Sequence, residues 1–94
     1  MGSKAKGGDV MYYRLLDYYT NLVNLLVSKY KIPYHIATIM VSDLEWYTDT
    51  GRASVNWCNH LLKAKPFMVC RRILKGGSTN EVIRRVTDYI MEVE

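Results

Sequence analysis

The polar residues Arg14, Asp17, Asn21, Asn24 and Ser28 recur every three or four positions between Val10 and Lys31. That interval matches the helical repeat, so they form one narrow stripe, and the rest of the cylinder is apolar or tyrosine. The segment is predicted to be a long helix that must be covered on most sides, by other helices or another subunit. Asp9 is its expected N-cap. Pro33 interrupts the pattern, and a second helix is expected from about Tyr34 to Tyr47, with Ile36, Ile39, Met40 and Leu44 inward. Thr48-Asp49-Thr50-Gly51 reads as a turn in which Gly51 suits a left-handed conformation.

A third helix is predicted from about Ala53 to Ala64, burying Val55, Cys58, Leu61 and Leu62. Pro66 ends it or restarts it, and a short helix covers Phe67 to Leu74. Gly76-Gly77 is a second break. Ser78, with Glu81 three residues later, forms a capping box for a last helix. There Val82, Val86, Tyr89 and Ile90 make the apolar stripe, with Arg84, Arg85 and Asp88 outward. No strand alternation or internal repeat is present. The expectation is an all-α fold, a compact bundle of four to five helices, with residues 9–94 as one domain and 1–8 as a flexible basic arm.

Composition sharpens this picture in two places. Nearly half of the 94 residues are apolar, enough for one real core. The net charge of +4 is unevenly spread. Lys4, Lys6, Arg14, Lys29 and Lys31 make the first third basic, Asp43, Glu45 and Asp49 form an acidic island, and Lys63 to Arg85 is basic again. That arrangement favours a polyanionic partner, either phospholipid headgroups or nucleic acid. No apolar run is long enough to cross a bilayer and no signal-peptide pattern is seen, so a cytoplasmic location is expected.

Candidate chemistry is sparse. Cys58 and Cys70 are too few and too far apart for a disulfide framework or a zinc site, and are expected to be buried thiols. His35 and His60 have no ligand-spaced partner, so no metal or other cofactor is expected. Asp43 and Glu45 point in different directions on a helix and cannot act as a carboxylate pair. Gly76-Gly77-Ser78 lacks the lysine and flanking strand of a phosphate loop. The expectation is a binding protein without enzymatic activity or a small-molecule substrate.

Arg52, Asn56, Asn59 and Lys63 recur at four, three and four residues along the third helix. Arg and Asn are the residues that read guanine and adenine edges, so this stripe is the candidate nucleic-acid-binding surface of a helix-turn-helix-like regulator. Trp57 and His60 fit such a motif poorly, and a solvated face explains the same spacing. A protein-interaction adaptor using exposed tyrosines is a third reading.

Trp46-Tyr47-Thr48-Asp49-Thr50-Gly51, followed by Val55 and Trp57, resembles the matrix domain of retroviral Gag polyproteins, most nearly the betaretroviral kind. In that family a helix ends in Trp-aromatic, an acidic turn with Gly follows, and a Trp opens the next helix. Gly2 stands where the family carries a myristoyl group, with Lys4 and Lys6 after it. The acylation pattern asks for Ser or Thr where this chain has Lys6, which makes Gly2 a conditional lipidation site. Leu74-Lys75-Gly76-Gly77 leading into Val82-Ile83 is similar to the entry to the last helix in deltaretroviral relatives.

The resemblance implies a virion assembly domain that binds anionic lipid at the inner face of the host membrane and self-associates weakly. The lipid-facing residues it implies are Lys4, Lys6, Arg14, Lys29 and Lys31, joined by Arg71, Arg72 and Lys75. Among them Lys29 and Lys31 match the family's connecting loop, and Arg14 its first helix.

Overall fold

A computed structural model describes residues 6–92, with side chains from residue 10 onward. Five helices follow one another: α1 (Lys6–Ser28), α2 (Tyr34–Asp49), α3 (Val55–Lys63), α4 (Pro66–Leu74) and α5 (Thr79–Glu92). The all-α bundle expected from periodicity is what the chain forms. The first helix starts at Lys6, so Asp9 lies inside its first turn instead of capping it.

The breaks fall where local chemistry places them. Pro33 and Pro66 each stand at a helix start, Pro66 as the first residue of α4, where a missing N–H costs nothing. Gly51 and Gly76-Gly77 adopt positive φ and close α2 and α4. Ser54 caps α3, its Oγ accepting from the Trp57 N–H at 3.0 Å. The capping box of α5 is formed as expected: the Ser78 N–H donates to Glu81 Oε1 at 2.8 Å and the Glu81 N–H to Ser78 Oγ at 3.2 Å. The Ser78 N–H holds the Glu81 carboxyl below its ordinary range.

Two residues bind α1 to the rest of the bundle. Tyr18 donates its phenol O–H to the Ala64 carbonyl at 2.8 Å, and Tyr19 donates to the Leu44 carbonyl at 3.2 Å. Both rings are buried, so these bonds answer the only polar atom each phenol carries inside. Around them Leu22, Leu26, Val41, Leu44, Leu61, Val69, Ile73, Val86 and Ile90 complete the core. Cys58 and Cys70 are both buried and unbridged, and burial pushes the Cys70 thiol up to about 11.

Three assignments of inward or outward face change. In α2 the buried row is Ala37, Val41 and Leu44, while Ile36 is exposed, Ile39 is 62 % exposed and Met40 half-buried. The helix is thus rotated so that the small Ala37 faces the neighbouring helices, and Ile36 and Ile39 fall on the outer side. In α3 Trp57 takes the core position, its Nε1–H donating to Thr87 Oγ1 at 2.9 Å. Val55, in the first turn and short of the neighbouring helices, is 69 % exposed, and Leu62 is half-buried. The α5 stripe is as expected, with Ile83 added and Tyr89 half-buried.

The third change concerns Arg85, expected to face outward with Arg84 and Asp88. Arg84 and Asp88 are exposed, but Arg85 is half-buried and its Nη1 donates to the carbonyls of Arg72 and Gly76, each at 3.0 Å. The guanidinium therefore caps the C-terminus of α4, where carbonyls lack intrahelical partners and the helix dipole favours a cation.

Candidate functional site

The direction in which helices pack decides which cations meet. The Tyr18 phenol reaches Ala64, just before α4, and Cys70 Sγ, within α4, approaches the Leu22 carbonyl at 3.5 Å. Moving along α4 thus moves the same way along α1, so the two C-terminal ends point to one end of the bundle. Lys29 and Lys31 follow α1, and Lys75 follows α4, with Arg71 one turn before it. All four are exposed. The chain supplies no Asp or Glu from residue 18 to 42 or from 50 to 80, so both segments reach this end without local acids. Glu81, the acid that follows Lys75, is tied to Ser78.

Lys31 also carries a backbone signal. Its φ is +62°, in the left-handed region, and it is a non-glycine residue there. L-residues with a Cβ are less stable in that region by roughly 1–2 kcal/mol, which glycine would avoid. A lysine at this position gives the loop nothing that glycine would not give more cheaply; its ammonium is what it adds.

The rest of the candidate set lies elsewhere. Arg14 is exposed but precedes Lys29 by fifteen residues, roughly 22 Å along a helix axis. It lines a shallow recess with Asp17, Tyr18, Asn21 and Leu62. Arg72 is half-buried, stacked 4.9 Å over the Tyr89 ring. Gly2 and Lys4 lie outside the described residues, as does the side chain of Lys6. Neither a family model, nor a curated protein, nor a solved structure matches this chain.

The four residues of the alternative nucleic-acid stripe, Arg52, Asn56, Asn59 and Lys63, are all exposed. The Arg52 guanidinium lies 5.0 Å over the Trp46 ring. Helix α3 packs on α5 and α1, and meets α2 chiefly through the edge-on pair of Tyr47 and Trp57, 5.0 Å apart. A helix-turn-helix needs its two helices braced against each other, and here the second leans on other partners.

The acidic island is split by the fold: Asp43 turns toward α5 and accepts from Thr79 Oγ1 at 2.9 Å, while Glu45 and Asp49 lie on another surface. Glu45, Thr48 and Asp49 of α2 face Tyr12, Leu15, Leu16 and Tyr19 of α1 across a cavity of about 180 Å³. A second cavity of about 170 Å³ continues it past Thr20, Val23, Tyr34 and Thr38, sharing Tyr19 and Glu45 as walls. Desolvation and the neighbouring Asp49 raise the Glu45 carboxyl above its ordinary range. Next to these cavities on α1, Val10, Tyr12, Tyr13 and Leu16 are exposed. Nothing in the sequence beyond an unusually apolar helix end could have located this groove, because its second wall is supplied by α2.

Among the described residues no group of His, Cys, Asp and Glu is placed to hold a metal ion, and no helix is long and apolar enough to cross a membrane.

Proposed function

We propose that this chain is a non-enzymatic assembly domain of the retroviral matrix type, docking on the anionic inner leaflet of a host membrane through one end of its bundle. The observation that carries the reading is the convergence of Lys29, Lys31, Arg71 and Lys75 from two separate segments onto that end. Each cation held near an anionic leaflet contributes about 1 kcal/mol, so four together support reversible binding only. Durable attachment then depends on many copies acting together, or on an acyl chain at Gly2.

Co-sedimentation with vesicles of neutral and of anionic lipid tests this. Lys29→Gln and Lys75→Gln should each lower partitioning onto anionic vesicles by about fivefold, the equivalent of roughly 1 kcal/mol. Lys31→Gly should weaken binding by a similar factor without lowering the melting temperature, because glycine relieves the left-handed backbone. Arg14→Gln should leave partitioning unchanged. Pelleting indifferent to anionic lipid, or equally sensitive to Arg14 and Lys29, refutes the proposal. Sequence-specific DNA binding lost on Asn56→Ala and Asn59→Ala would favour the regulator instead.

A further inference from the structure

The groove between α1 and α2 joins aromatic walls to an acidic rim, and the same molecule carries a feature of opposite character. Phe67, in the first turn of α4, is 40 % exposed and stands just after Lys63 and Lys65, both exposed. No acidic residue lies within thirteen positions of it on either side along the chain, although the fold brings Asp17 of α1 into a recess with Leu62. A partly exposed aromatic side chain preceded by two cations therefore lies at the junction of α3 and α4, while two carboxylates border an open slot elsewhere.

The two features face different ways. Leu62 and Ala64 lie beside the Arg14–Tyr18 side of α1, whereas the groove uses Tyr12, Leu16, Tyr19 and Val23. At about 100° per residue, Arg14 and Leu16 are roughly 160° apart around the helix. Phe67 cannot fold back into the groove of its own chain across that separation, but a neighbouring copy can present it. We infer that the α1–α2 groove receives Phe67 of a second copy of this chain, with Lys63 and Lys65 of that copy paired to Glu45 and Asp49.

Such a contact is heterologous, since each copy offers a plug on one side and a socket on the other, so it builds rings or open chains instead of closing as a pair. One buried aromatic ring with a few rim charges falls well below the area of a standard stable interface, so the contact is weak in dilute solution. It strengthens where copies are crowded. Lys29, Lys31 and Lys75 line neither the socket nor the plug and stay free in the assembled chain. The contact does not depend on the membrane reading, and its test contains no lipid.

Sedimentation velocity over a concentration series reads the association directly. The chain should form a growing series of oligomers toward millimolar concentration at low salt, reversed at about 0.5 M salt where exposed charges are screened. Phe67→Ser removes the plug and Leu16→Glu spoils the socket; both sites are solvent-exposed, and circular dichroism checks that each variant keeps its helices. Each alone should remain monomeric, with association weakened about tenfold or more. Mixed together they should form one-to-one dimers and nothing larger, because only one socket and one plug survive. Should either apolar variant misfold, Lys63→Glu with Lys65→Glu and Glu45→Lys with Asp49→Lys serve instead: each variant alone should stay monomeric, and their mixture should regain the full series of oligomers, because both plug–socket combinations are again of opposite charge. A wild-type chain that stays monomeric, a mixture that does not restore dimers, or association that Leu16→Glu abolishes and Phe67→Ser leaves intact would each overturn the inference, the last by showing another occupant of the groove.

Discussion

Replacing Arg85 by methionine keeps the apolar stem of the side chain and deletes the guanidinium that closes α4. Two bonds are lost, from Nη1 to the carbonyls of Arg72 and Gly76, both at 3.0 Å. A hydrogen bond from a charged donor has a net worth of about 1.5–3 kcal/mol, and partial exposure of this one reduces that figure. The Ile73 carbonyl is served independently by backbone N–H groups at the end of the helix, so α4 frays but does not lose its last turn entirely. The two bonds together should therefore be worth about 1–2 kcal/mol. For a domain of this size that lowers the melting temperature by roughly 4–16 °C, at about 4–8 °C per kcal/mol.

The assay is thermal and urea unfolding followed by circular dichroism, with Arg84→Met as the control. Arg84 is the neighbouring exposed arginine, and its loss should change stability by less than about 0.5 kcal/mol. Equal losses in the two variants would show that charge removal on α5, and not the α4 cap, sets the effect. A loss from Arg85→Met no greater than that from the control would refute the capping argument.

Two further outcomes follow from the interior and the turns. Tyr18→Phe leaves the buried Ala64 carbonyl without its donor and should destabilise the fold by about 1–2 kcal/mol in the same melts. Burial raises the phenol of Tyr18, and likewise that of Tyr19, above the ordinary value near 10. The unfolded chain then loses those protons first, so stability is fully present below pH 10 and declines as pH climbs above it. The decline should be shallower in Tyr18→Phe. Gly51→Ala and Gly77→Ala both force a Cβ into positive φ, but only at Gly77 would the new atom also strike the Glu81 carboxylate that caps α5. Gly77→Ala should therefore melt lower than Gly51→Ala, and a reversed order would deny the capping box its role.

How much of this was legible in the chain itself depends on the range over which each signal acts. Pro33, Pro66, Gly51, Gly76 and the Ser78–Glu81 box act through bonds and dihedral angles within three or four residues, so they mark helix ends wherever the helices later go. Apolar spacing is equally local, and on α5, with its clear polar side, it identified the buried stripe. On α2, where apolar and polar residues are mixed around the cylinder, the same method chose Ile36 and Ile39 over Ala37, because side-chain hydrophobicity alone does not fix the rotation of a helix against its neighbours.

The sites were less legible for a related reason. Sequence alone determined that the chain is helical, basic and without local acids over long stretches, because those are properties of composition and short-range geometry. The tertiary structure decided which cations are free to act together. It brought Lys29 and Lys31 to the same end as Arg71 and Lys75, placed Arg14 apart from them, and drew Arg72 and Arg85 into the α4–α5 seam. It also set Glu45 and Asp49 against Tyr12 and Leu16, more than twenty-five residues away in sequence. Such meetings depend on helix direction and rotation, which many residues settle jointly by packing one shared core.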